Sequence, residues 1–459
     1  MQGLTRRELL GNAGKAGAVG TAGAASLFSG CVEDVVGSGD LKIGVLQPYR
    51  GAAAGWGKIS TWSFVTGLAN WYDEDTIYIE NPSGAGSVTF EVEDRSYELI
   101  IRNSMFDPSM AEGAAESLVL DDQVDILFGV IDTPSVIRVI EQVVNPTDTF
   151  YITGGTGSMQ VTSNPDLCGR NVFSLNEHVG MEARALGTYI GEETDTETFY
   201  LLGPDTVYGR TFARTYRQAL EENGVEVVGE RFVPSGFSEF RGILEDIDSQ
   251  ADGFGVGFGA RTLLEFLDVY VKGSVSGAFD LEIYAPLPGQ LGMSLVGELL
   301  ESTLDDITEE SIEEVNIGGL ASRYHWNQYD NPVNDEFVSA IEENYETLPA
   351  LQAGGTYTAG SALAQAVEAS GSLNPDDIAE QMHGMTVEQT PKGEGGYAFQ
   401  EHNNQAKSEM TIANVVPNEE ENWDASIMPS EPLARISADD VMPSQDDPEI
   451  ECNLTRTQN

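Results

Sequence analysis

Side chains suited to catalysis or metal binding are few in this chain, and they are dispersed. The four histidines, His178, His325, His383 and His402, form no His-x-x-x-His pair and no motif with a partner carboxylate. Cys168 and Cys452 belong to neither a Cys-x-x-Cys motif nor a Cys/His cluster, which argues against zinc. The stretch Gly155-Thr156-Gly157-Ser158-Met159 lacks the glycine that a nucleophile elbow needs after its serine. Gly255-Val256-Gly257-Phe258-Gly259-Ala260 fits a dinucleotide fingerprint, with Glu282 further on as a ribose partner. Its first two glycines, however, fall inside a predicted strand and not in the turn after it, so no cofactor is expected. Triads assemble in space, so an exported hydrolase stays as a lesser alternative.

The elements that must position any site alternate along the chain. Strands are predicted at 41–46, 97–102, 125–129 and 149–153, with helices at 59–72, 108–120 and 134–144. A β-prone run at 76–103, broken by Pro82-Ser83-Gly84-Ala85-Gly86, reads as a hairpin plus the strand at 97–102. This βαβα order implies a parallel sheet with helices on both faces. The rhythm restarts with strands at 198–202, 225–232, 253–258 and 281–285 and helices at 209–223, 240–249 and 261–272. An acidic stretch, 299–315, reads as a solvated helix pair. Helices follow at 333–346, 357–370 and 375–383, the last capped by Asn374. β-like runs at 397–399 and 409–416 close the body, and the Pro-, Asp- and Ser-rich chain from Asn418 onward reads as a loosely ordered tail.

Charge excludes several classes of partner. Seventy-five acidic residues against twenty-three basic ones, only six of them lysine, give a net charge of −52 over 459 residues. Such a surface repels nucleic acid and anionic headgroups. The acids run through the whole body, as in a protein built for a saline habitat, where a Debye length of about 3 Å in molar salt screens their repulsion. With 41% hydrophobic residues the chain can fill two or three cores. Residues 1–30, with Arg6-Arg7, a Gly/Ala-rich run and Phe28-Ser29-Gly30-Cys31, resemble a twin-arginine export signal ending in a lipobox. Cys31 is then the lipid attachment point and 31–40 a tether to the outer face of the membrane. Export leaves Cys168 and Cys452 in oxidising surroundings, where a disulfide between them is expected. Asn453-Leu454-Thr455 adds a glycosylation sequon in the same tail.

The order of motifs carries a resemblance over almost the whole mature chain. A strand ends in Leu46-Gln47-Pro48-Tyr49-Arg50-Gly51, with Gly55-Trp56-Gly57 following. Asp107 precedes a helix that leads to Asp125-Ile126-Leu127-Phe128-Gly129, and Tyr208-Gly209 precedes another. Glu222-Asn223-Gly224-Val225 and Tyr357-Thr358-Ala359-Gly360-Ser361 come later in the same order. The sequence resembles the type I solute-binding proteins, the leucine/isoleucine/valine-binding family of ABC importers, which includes amide- and urea-binding members. The resemblance implies an α/β fold of two Rossmann-like lobes with parallel sheets, joined by three crossover strands. Lobe I would hold 41–172 with 330–390 and lobe II 173–329 with 391–445, leaving 446–459 as a tail. It also implies a monomer that binds a small-molecule ligand in the interlobe cleft and delivers it to an ABC permease. A sensor that passes the signal to a transducer is the alternative.

Carried over position by position, the resemblance puts ligand contacts on strand-end loops, where ligands of open parallel sheets bind. Trp56 would form an apolar wall, or else pack on a helix as a surface aromatic. Asp132 and Thr133, before Pro134, serve either as helix caps or as ligand contacts. Gly154 and Gly155 permit close backbone approach, and Thr156 offers a hydroxyl. From lobe II come Asp205, Tyr208, Phe258 and Gly259, with Arg261 nearby. Family members that bind amino acids place an acid after the strand at 281–285. Here the chain reads Ala285-Pro286-Leu287-Pro288-Gly289, which counts against an α-amino acid.

Overall fold

Leu41, Ile43, Val45 and Leu46 are fully buried, and they belong to the strand around which the first half of the molecule is built. The computed structural model describes residues 40–455 except 75, 81, 83, 93, 94, 235, 259 and 448. The export signal, Cys31 and Gly259 lie outside the described residues, as do the side chains of Tyr208 and Arg261. The first sheet comprises β1 (Asp40–Gln47), β2 (Ala85–Val92), β3 (Arg95–Asn103), β4 (Ile126–Gly129), β5 (Phe150–Thr153) and β6 (Val172–Phe173), in the order β2-β3-β1-β4-β5-β6. All pairings are parallel except β2 with β3. The β-prone run at 76–103 thus yields a single hairpin, with 76–80 outside any strand.

Helices α1 (Ala54–Trp71), α2 (Pro108–Glu116) and α3 (Thr133–Val139) connect these strands. The second sheet begins after α4 (Val179–Glu193). Its parallel strands are β7 (Thr198–Pro204), β8 (Glu226–Val233), β9 (Gly253–Val256), β10 (Glu282–Pro286) and β11 (Ile317–Ser322), linked by α5 (Val207–Glu222), α6 (Arg241–Asp248), α7 (Ala260–Val275) and α8 (Gln290–Thr303). Neither the interior strand β11 nor the helix α4 had a counterpart in the sequence-based expectations. Helices α9 (Pro332–Tyr345), α10 (Ala353–Ser370) and α11 (Pro375–Met382) return to the first body. There α10 lies against α1 so closely that a Cβ at Gly67 would stand 1.9 Å from the Tyr357 carbonyl oxygen.

Strands β12 (Thr386–Val387), β13 (Tyr397–Phe399) and β14 (Ala406–Lys407) form a small antiparallel sheet. Phe399 meets Phe173 edge-on at 5.3 Å, and Tyr397 and Ala406 share the first core. The stretch 397–407 therefore packs with lobe I, not with lobe II as the boundary at 391 implied. β15 (Met410–Ala413) and β18 (Ala434–Ile436) complete the second sheet, whose order is β18-β15-β11-β10-β9-β7-β8, while β16 (Val415–Pro417) pairs with β17 (Ile427–Pro429). This is the α/β architecture of two lobes, and the chain passes between them at 174–178, 323–331 and 408–409.

A buried polar cluster laces two of these crossovers. Lys392 Nζ donates to Glu177 Oε1 at 2.7 Å, and the Tyr397 and Ser408 hydroxyls donate to the same oxygen at 2.7 Å. The expected loose tail is instead built in. Trp423 is buried in the second core, its indole N–H donating to the Ile427 carbonyl, because its bulk fills the space beside Trp326 at 4.4 Å. Cys168 and Cys452 are joined by a disulfide with Cα atoms 6.3 Å apart. No described helix is long and apolar enough to cross a membrane.

Candidate functional site

The carboxyl ends of β1, β4 and β5 open on one edge of the first sheet, and two polar side chains organise it around one backbone carbonyl. Gln47, the last residue of β1, is fully buried and donates from Nε2 to Ser60 Oγ at 2.7 Å and to the Gly154 carbonyl at 3.3 Å. Ser60 Oγ donates to that carbonyl too, at 2.9 Å. Gly154 itself donates to the Gly129 carbonyl at 2.7 Å. A side chain at 154 has no room, since its Cβ would stand 2.2 Å from Gln47 Nε2. Beside it Val130, a β-branched residue, is held at φ 62°, a left-handed conformation such residues adopt only under constraint.

This framework brings the loop residues of lobe I together. Asp132 caps α3, its Oδ2 accepting from the Ser135 N–H at 3.1 Å, and the caps-or-contacts alternative resolves toward capping for this oxygen. Thr133, the first residue of α3, and Thr156, buried in the loop after β5, bring their hydroxyl oxygens to 3.2 Å. Thr133, Ile137, Gly157 and Met159 form the lobe I side of a cavity of about 1180 Å³, and Val179, Thr211 and Thr215 form its lobe II side.

Deeper in the crevice lies a charged pair absent from the sequence-based candidates. Arg323, just beyond β11, holds Glu182 in a two-point interaction, Nε to Oε1 at 2.8 Å and Nη2 to Oε2 at 3.1 Å. Both are buried, and Arg323 lies so near Gly157 that a Cβ there would be 2.8 Å from Nη2. His178 caps α4, accepting at Nδ1 from the Met181 N–H at 3.3 Å. Burial, reinforced by the neighbouring Arg323 and Arg184 guanidinium groups, pushes the His178 pKa down to about 3, so its ring is neutral at ordinary pH. The cavity is thus walled by hydroxyls, backbone groups and aliphatic surface together with the charged side chains of Arg138, Glu141, Arg214 and Glu449, of which Arg138 pairs with Glu112 and Arg214 with Glu449. Among the described residues no group of three or more His, Cys, Asp or Glu is arranged to hold a metal.

The other sequence candidates separate from this set. Trp56 sits in the first turn of α1, not in a loop, and its ring lies 6.3 Å from Phe106. It lines a second, smaller cavity of about 280 Å³ with Ile59, Trp62, Leu291 and Leu348. Gln352 stands between the two regions, donating to the Trp56 carbonyl at 3.1 Å and lying against Gly155. Asp205 is exposed and held by Arg210 at 2.7 Å, and it lines neither cavity. Phe258 is a core residue, its ring 5.5 Å from both Phe240 and Phe266, so the aromatic cluster of lobe II claims it. Tyr208 is in the first turn of α5, where Thr206 caps the Gly209 N–H at 3.1 Å.

A family model for periplasmic binding proteins matches residues 40–420. Among solved structures, an ABC transporter substrate-binding protein from Sphaerobacter thermophilus has a TM-score of 0.69 at 19% identity, over 87% of this chain and 98% of that one. A solute-binding protein of an ABC transporter from R. palustris, in complex with 4-hydroxybenzoate, has a TM-score of 0.66 at 14% identity, over 87% and 97%. A leucine binding protein from Thermotoga maritima MSB8 has a TM-score of 0.61 at 18% identity, over 87% and 99%. No curated protein matches.

Proposed function

The chain belongs to the periplasmic binding proteins, and from that premise we propose that it binds a carboxylate-bearing or neutral polar solute between its lobes for an ABC importer. The solute passes unchanged to the permease. The observation that carries this reading is a cavity walled by both lobes whose lining includes Thr133, at the start of α3, with the Thr156 hydroxyl from the loop after β5 3.2 Å from its own. Hydroxyls and strand-end N–H groups suit a carboxylate or amide carbonyl, and the aliphatic wall suits an apolar body. The solutes named for two similar structures, leucine and 4-hydroxybenzoate, share that plan of a carboxylate on an apolar body. Arg323 is bound up with Glu182, and the lining arginines Arg138 and Arg214 with Glu112 and Glu449, which leaves Thr133, backed by Thr156, and the backbone to meet the solute. In this reading Cys31 carries the lipid, 31–40 spaces the body from the membrane, and the protein works as a monomer in salt-rich surroundings.

A thermal-shift panel in 3 M KCl, with leucine, neutral amides, urea and 4-hydroxybenzoate, tests this. A solute at a hundred times its Kd adds about 2.7 kcal/mol of stability. The expected result is a rise in melting temperature with one of these chemical classes. Turnover of the solute that binds would contradict the transport role.

A further inference from the structure

The C-terminal segment does more than cover the body. Val441 and Met442 are buried in the core of lobe II with Met181 and Leu186. From there the chain crosses to lobe I, and it is fastened on both sides. On lobe II, Arg184 of α4 holds Asp447 at 3.1 Å, with side chains only 11% and 7% exposed, and Arg214 of α5 pairs with Glu449. On lobe I, the Glu451 and Cys452 N–H groups donate to the Ser163 carbonyl at 3.0 and 2.8 Å. The Leu454 N–H donates to the His402 carbonyl at 2.7 Å, and Cys452 is bonded to Cys168. Between these anchors Glu449 lines the larger cavity beside Arg214.

We propose that residues 442–455 form a fourth interlobe link, a clamped strap that walls one mouth of the solute cavity and limits how far the lobes separate there. The limit follows from chain length. An extended chain spans at most about 3.6 Å per residue, so the five steps from Asp447 to Cys452 reach no more than about 18 Å. If the ion pairs of Asp447 and Glu449 give way, slack extends back to Met442, and the reach doubles to about 36 Å while the disulfide holds. The two kinds of anchor therefore act in series: the ion pairs set the ordinary opening and the disulfide the outer bound. The three crossovers at 174–178, 323–331 and 408–409 already act as the hinge. A fourth link placed over a cavity mouth restrains separation where a hinge alone would allow the most movement.

The strap does not depend on which solute binds, and its test needs none. One hydrogen bond reports directly on lobe separation beside the cavity: the Val179 N–H, at the start of α4, donates to the Gly157 carbonyl of lobe I at 3.0 Å. Hydrogen exchange of the ligand-free protein in molar KCl is compared for the parent, the Cys168→Ser/Cys452→Ser variant and the Asp447→Asn/Glu449→Gln variant. The expected result is exchange at Val179 accelerated at least tenfold in the first variant and severalfold in the second. Amides of β4 and β7 keep the parent's protection, which separates a released strap from a weakened fold. Unchanged exchange at Val179 in either variant, with β4 and β7 still protected, overturns the proposal. Should the cysteine variant lose protection throughout, the second variant, whose disulfide is intact, decides alone.

Discussion

Two histidines are completely enclosed, and each has consequences for acid stability. Burial pushes the His178 pKa down to about 3, aided by Arg323 and Arg184, and burial does the same for His325 against a smaller opposing pull from the Pro288 carbonyl. An unfolded histidine takes up its proton near pH 6.5. Between about 3 and 6.5 the unfolded chain therefore binds protons that the native one does not, and stability falls as pH falls. Below about 3 this contribution levels off. Each ring contributes a slope of about 1.4 kcal/mol per pH unit within that window. His178→Asn keeps a side chain able to cap α4 and removes one titrating group. Denaturant unfolding at fixed salt from pH 7 to 4.5 is expected to show a shallower pH dependence in the variant. Parallel curves would mean that His178 is not the buried neutral group described.

At the scale of elements, most of the alternating order was legible, because apolar runs buried on both faces and amphipathic helices leave distinct periodicities. Two of the failures, at β11 and at the start of α1, share a cause, which is glycine used for close approach. Ile317-Gly318-Gly319-Leu320-Ala321-Ser322 is β11, an interior strand of the second sheet, yet its two glycines interrupt the apolar run that would mark a strand. They are there because neighbouring rings fill the space: a Cβ at Gly318 would be 2.3 Å from Tyr284 Cζ and one at Gly319 would be 2.9 Å from Tyr189. With β11 hidden, Arg323 and its partner Glu182 were hidden too. Gly57 likewise made the start of α1 look like a loop, though a Cβ there would stand 1.9 Å from the Pro48 carbonyl oxygen. That misplaced Trp56. The Thr133 and Thr156 loops were legible because they follow unmistakable apolar strands. The same contacts give a stability test at α1. Gly67→Ala puts a methyl into the α10 backbone and is expected to cost about 3 kcal/mol, the upper part of the overpacking range. Gly113→Ala, in an exposed part of α2 with nothing within 4 Å, is expected to stabilise by about 0.5–1 kcal/mol. Chemical denaturation of the two variants measures the contrast, and equal effects would contradict the packing described.

For the whole molecule, charge and the cleft matter together. With a net charge of −52, self-repulsion opposes the compact state unless it is screened. Lowering KCl from 3 M to 0.1 M is expected to reduce the melting temperature and the cooperativity of unfolding, and an unchanged melt would contradict adaptation to high salt. The central claim is that a solute sits unchanged between the lobes, held by groups from the strand-end loops. Titration calorimetry in 3 M KCl, with the solute chosen by the thermal-shift panel, tests it most directly on the parent, Thr133→Ala and Thr156→Val proteins. The expected result is one site per chain, affinity weakened by about 1–3 kcal/mol in each variant where a buried hydrogen bond is lost, and solute recovered intact afterwards. Parent-like affinity in both variants, or a chemically altered solute, would contradict it.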